Sequence, residues 1–135
     1  MKVSKTFTPW VLLVFLWGFT LVHFGDLPDR VPIHYDALGK PDRYGSQSYV
    51  WGLPLLASIL LIILASFQKR MPLKEMEKEI FGWLKISILL IFGYIQFQSF
   101  LIALGRSNGL GPWFLPLSVA LTLVPLLFSL KKFKK

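Results

Sequence analysis

The chain has 135 residues, of which 54% are hydrophobic, 16% aromatic and only 16% charged, with a mean hydropathy of +0.57. An ordinary soluble domain carries about a quarter charged residues, so the composition is that of one integral membrane domain spanning 1–135. There is no cysteine, which excludes disulfides and thiolate metal sites, and the net charge of +8 gathers at the ends of apolar runs instead of forming a nucleic-acid-binding face.

The first apolar run, residues 7–25, is long enough to cross a hydrocarbon core. No small-residue cleavage pattern follows it, so it reads as a retained helix with Trp10 and Trp17 as aromatic anchors. A second helix over 49–67 opens with Tyr49, Trp51 and Pro54, proline being tolerated where the amide it lacks has no partner. The charged stretch from Gln68 to Glu79 reads as a connection. A third helix over 80–104 carries Lys85 near its start, and Tyr94, Gln96, Gln98 and Ser99 near mid-membrane. Buried amides in lipid require partners. Gln96 and Ser99 share a face and are expected to turn toward other helices, with Gln98 pointing elsewhere. A Gly-rich turn leads to a fourth helix over 113–130, where Pro116 and Pro125 predict a kink and Ser118, Thr122 and Pro125 share an inward face.

Short connections predict an all-α antiparallel bundle of four transmembrane helices. Both termini then lie at one end. That end, with the connection between the second and third helices, has two, four and four basic residues, against four (Arg30, Lys40, Arg43, Arg106) at the other. The positive-inside rule puts the termini in the cytoplasm of a bacterial inner membrane and the first loop outside.

That loop, residues 26–48, is the long polar segment between apolar runs. Pro28, Pro32 and Pro41 restrict it to extended backbone. Val31, Ile33 and Tyr35 alternate with Pro32, His34 and Asp36 as in a short strand with one apolar side, and Leu38-Gly39-Lys40-Pro41 reads as a turn with Gly39 able to take positive φ. His34 and Asp36 project to one side of such a strand, and His23 and Asp26 are neighbours on a helix. These four residues are the candidate metal ligands, and they support the alternative of a metal-dependent membrane enzyme or ion-handling protein. No zinc-protease or nucleophile-elbow motif accompanies them, so no catalytic residue and no cofactor is assigned. The favoured reading is a non-enzymatic protein whose outer loop, through Pro28, Pro32, His34, Tyr35, Asp36, Gly39, Asp42, Gly45 and Ser46, recognises a peptide, a lipid head group or a membrane-protein partner. The expected partners include the bilayer and a second copy of the chain; nucleic acid is not expected.

The string Leu-Pro-Asp-Arg-Val-Pro-Ile-His-Tyr-Asp (27–36), followed by Gly-Lys-Pro-Asp-Arg-Tyr-Gly-Ser (39–46), resembles the signature of the bacterial membrane domain of unknown function 1648. That domain also forms the N-terminal part of SdpI-like immunity proteins. The resemblance covers the first helix, the loop and the start of the second helix. It departs from the family pattern at Asp36, where Asn is commoner, and at Gln47, where Lys is commoner. It implies membrane placement and, through SdpI-like members, protection of a producing cell from a secreted toxin or signalling by holding a repressor at the membrane.

Overall fold

A computed structural model describes residues 4–134; Lys2 and Lys135, counted above among the basic ends, lie outside them. The order of elements is helix α1 (Thr8–His23), a short 3-10 turn (Phe24–Asp26), strand β1 (Arg30–Tyr35), strand β2 (Pro41–Ser46), a second 3-10 turn (Gln47–Trp51), and helices α2 (Gly52–Arg70), α3 (Glu75–Ala103) and α4 (Phe114–Phe133). Each of the four helical stretches is long and apolar enough to cross a membrane. The protein is therefore mostly helical, with one addition to the all-α expectation: the first loop is a two-stranded antiparallel sheet.

Helix α3 is the hub. It packs against α1, α2, α4 and β1, while α4 packs principally on α3 alone. The expected four-helix bundle is thus a three-helix unit, α1–α2–α3, with α4 applied to the far side of α3. One apolar cluster joins Leu13 and Leu16 of α1, Ala57 and Leu61 of α2 and Leu89 of α3. A second, beneath the hairpin, joins Leu27, Val31, Val50 and Phe100. The outward faces of α1, α2 and α4 stay apolar and exposed, as lipid-facing surfaces do. On α4 the partly buried positions include Ser118, Thr122 and Pro125, the inward face expected, and the helix continues through Pro125. Pro116 falls in its first turn, where proline costs little.

Polar side chains hold the helices in register where apolar packing alone cannot in lipid. Gln96, buried to 1% exposure, donates both amide protons, to Thr20 Oγ1 at 2.9 Å and to the Val50 carbonyl at 2.8 Å. Trp17, expected as an interface anchor, instead donates to Ser58 Oγ at 2.9 Å and stacks on Trp51 with centroids 6.0 Å apart. Its indole N–H needs a partner, and α2 supplies one.

Helix α3 begins at Glu75 rather than near residue 80. The Lys74 backbone N–H donates to the Glu77 carboxylate at 2.8 Å, a cap that lets a charged sequence start a helix. The Tyr94–Ser99 polar group lies in the last turns of α3, at the hairpin end. At the opposite end Glu79 accepts from Lys5 at 2.8 Å and from Lys132 at 3.2 Å. One carboxylate thereby joins the beginning of the chain, the start of α3 and the end of α4.

Candidate binding groove beneath the hairpin

The hairpin is fastened at both its base and its tip. At the base Gln47 donates its amide protons to the carbonyls of Phe24 and Leu27 at 3.2 and 3.0 Å, and its backbone N–H bonds Asp29 O at 2.9 Å. Gln47 is the position where the family resemblance leads one to expect Lys; here the neutral amide satisfies two carbonyls at the end of α1. At the tip Asp36 Oδ1 accepts from the backbone N–H groups of Leu38 and Lys40, both at 2.9 Å, an Asx turn in which Gly39 has φ +80°. The Gly39 carbonyl then accepts from Leu110 N at 2.6 Å, and Tyr94 Oη donates to the Leu110 carbonyl at 2.7 Å. The tip is thus docked on the α3–α4 connection. A Cβ on Gly39 would lie 2.8 Å from the Gly111 carbonyl oxygen, and one on Gly109 would lie 2.6 Å from the Gly39 oxygen. Only glycines permit this approach.

Between the base and the tip, β1 crosses the mouth of the helices. Its burial does not follow the simple alternation expected: Val31 and Pro32 are both buried, while Ile33 is 37% exposed. The cause is a register irregularity between Pro32 and His34, which turns Ile33 over Gly45. Tyr35 then reaches down to Ser99 of α3, hydroxyl to hydroxyl at 2.5 Å. Under this crossing lies a cavity of about 360 Å³ lined by Pro32, Ile33, Tyr35, Tyr49, Leu53, Gln96, Ser99 and neighbours. Its walls are mainly apolar, with the Tyr35–Ser99 pair and Gln96 as its polar points, the composition of a site that binds an apolar group and orients it by few hydrogen bonds.

The other signature residues are placed as follows. Pro28 is exposed before β1, and Gly45 and Ser46 end β2 opposite Val31 and Arg30. His34 does not pair with Asp36, which is occupied in the turn. Its Nδ1–H donates instead to Asp42 Oδ1 across the hairpin at 2.6 Å. Both side chains are well solvated, so the pair contributes at most about 1 kcal/mol. His23 donates to the Phe19 carbonyl at 2.9 Å and packs against the Phe19 ring. Among the described residues, His23, Asp26, His34 and Asp36 do not gather into a metal-binding group: the strand carries the latter two to the tip while the former two stay at the end of α1.

Burial holds the Tyr35 phenol above its ordinary value of 10.0, against the opposing effect of the Ser99 hydrogen bond and with a smaller contribution from Tyr44. A raised folded-state value means that the proton-linked stability is complete below about pH 10 and is lost as pH rises through the folded value. Tyr35→Phe is expected to cost about 1 kcal/mol at neutral pH and to weaken the fall in thermal midpoint above about pH 10; thermal unfolding in detergent across pH measures both.

Taken together, these features define a multi-pass membrane protein whose helices are capped at one end by a hairpin over an apolar groove. Residues 11–57, which run from within α1 through the hairpin into the start of α2, match the family model described as Domain of unknown function (DUF1648). A protein of Archaeoglobus fulgidus described as "Uncharacterized protein" is 36% identical over 59 residues, covering 44% of this chain and 32% of that protein. The chain thus spans about a third of the length of that relative. No solved structure matches significantly.

Proposed function

We propose that the protein is a non-enzymatic recognition module of the cytoplasmic membrane, with its hairpin on the outer side and its groove receiving an apolar segment of a membrane-active peptide or of a membrane-protein partner. The observation that carries this reading is the groove itself: a mainly apolar cavity roofed by a doubly fastened hairpin, with the Tyr35–Ser99 hydroxyls set to orient a polar backbone or head group. The excess of basic residues at the end opposite the hairpin supports the orientation. The SdpI-like resemblance of the signature supports immunity to a secreted peptide as the biological setting. The solvated His34–Asp42 pair serves the hairpin's own register in this reading.

Expression in a susceptible host is expected to raise survival against at least one class of membrane-active peptide. Ile33→Trp, which fills the groove from a half-exposed position, is expected to abolish that protection at unchanged protein level. Survival equal to that of the empty host across a peptide panel contradicts the proposal, as does full protection by Ile33→Trp.

A further inference from the structure

At the end opposite the hairpin a second polar cavity, of about 340 Å³, opens between the last turns of α2 and α4 and the first turns of α3. Its lining includes Lys5, Gln68, Glu75, Lys78, Glu79 and Lys132. Its charges do not cancel. The single Glu79 carboxylate is shared by Lys5 and Lys132, and Glu75 is taken by Lys78 at 2.7 Å. One turn further into α3, Lys85 is 4% exposed and has a neutral partner: its Nζ donates to Gln68 Oε1 at 2.7 Å. Gln68 lines the cavity, so the ammonium stands directly behind its wall.

Three ammonium groups thus face two carboxylates around one recess, and a fourth stands behind its wall. An ionised lysine in a spanning helix is costly without a counter-charge, and such residues mark functional positions. The recess also lies where the apolar runs give way to charged helix ends; on the proposed orientation, with this end cytoplasmic, it is a basic pocket between helix ends of the kind that holds anionic head groups.

We infer that this cavity binds the phosphodiester of an anionic phospholipid, a head group that carries no ammonium of its own. Lys5 and Lys132 contact the phosphate, Lys85 supplies charge from behind Gln68, and the exposed apolar face of α4 receives the acyl chains. The site is independent of the hairpin groove.

The test is retention of phosphatidylglycerol, phosphatidylethanolamine and phosphatidylcholine by the purified full-length protein in detergent, read by native mass spectrometry and by thermal shift. Phosphatidylglycerol is expected to be retained and to raise the midpoint. The double variant Lys5→Gln/Lys132→Gln is expected to bind it on the order of tenfold more weakly, whereas Lys131→Gln/Lys134→Gln, with the same change of net charge, keeps the wild-type affinity. A second double variant, Lys5→Arg/Lys132→Arg, is expected to retain binding and shows that the site survives substitution. Equal retention of the three lipids overturns the inference. So does equal loss in both glutamine variants, which identifies diffuse surface attraction, or displacement of the lipid by millimolar inorganic phosphate, which identifies a site for the free anion.

Discussion

Gly39→Val is expected to undock the hairpin from the helices, at a cost of about 2–4 kcal/mol. Two effects combine. Gly39 has φ +80°, a conformation that a β-branched residue adopts only under strain. Its new Cβ would also stand 2.8 Å from the Gly111 carbonyl oxygen and 3.1 Å from Leu110 Cβ. Neither neighbour yields easily, because one is backbone and the other sits at the chain, and Gly111 is itself held at φ +94°. The Leu110 N–H to Gly39 carbonyl bond is lost with the contact. Hydrogen exchange reads the outcome: the Leu110 amide should exchange far faster in the variant while the amides of α2 and α3 keep their protection. Gly93→Ala, where an added Cβ meets nothing within 4 Å, is the matched control and should change stability by no more than about 1 kcal/mol.

Gln96→Leu is the second substitution expected to have a large effect, about 1–3 kcal/mol in unfolding from detergent. The leucine fills the volume but leaves the buried Val50 carbonyl without its donor, and Thr20 loses the proton it accepts while still donating to the Leu16 carbonyl at 2.8 Å. Because Gln96 joins α3 both to α1 and to the turn that leads into α2, the loss should loosen the hairpin base as well as the helices. A double-mutant cycle with Thr20→Val separates the two bonds. The coupling between Thr20 and Gln96 should be roughly 0.5–1.5 kcal/mol, and the remainder belongs to Val50.

The parts of this architecture that apolar periodicity and local chemistry determine are readable from the chain. Four spans, the positive φ at Gly39 and the shared inward face of Gln96 and Ser99 follow from run length, turn chemistry and helical spacing. Strand β2 does not. Pro41-Asp42-Arg43-Tyr44-Gly45-Ser46 has no apolar alternation, and proline and glycine are both depleted from strands; it becomes a strand because β1 lies beside it. The partner of His34 was hidden for the same reason. Asp36 is nearer in sequence, but the Asx turn takes its carboxylate, and antiparallel pairing brings Asp42 across instead. The start of α3 was obscured by the charges of Glu75–Glu79, which read as a connection until the Glu77 cap is seen. Contacts between distant segments are the least readable. Nothing local in Gly39 or Leu110 signals that the first loop rests on the third, yet that contact docks the tip of the hairpin, and the Tyr35–Ser99 pair at the groove joins residues 64 positions apart.

This docking makes the hairpin more than a connection. Tip and base are fixed by separate polar contacts, to the α3–α4 connection and to the end of α1. The strand between them packs Val31 into the apolar cluster beneath the hairpin and sets Pro32, Ile33 and Tyr35 along the cavity. A ligand that enters the groove touches β1, the start of α2 and the end of α3 together, so binding is expected to stabilise the docked hairpin.

Photo-crosslinking in lipid vesicles tests the central claim most directly. A photoreactive residue replacing Tyr49, which lines the groove, or Ile62, which faces outward on α2, is presented with a labelled membrane-active peptide of the class named in the proposed function. The account predicts an adduct from position 49 that is lost when Gly39→Val is added, with only background labelling from position 62. Equal adducts from positions 49 and 62, or an undiminished adduct from position 49 in the Gly39→Val background, would contradict recognition in a groove closed by the hairpin.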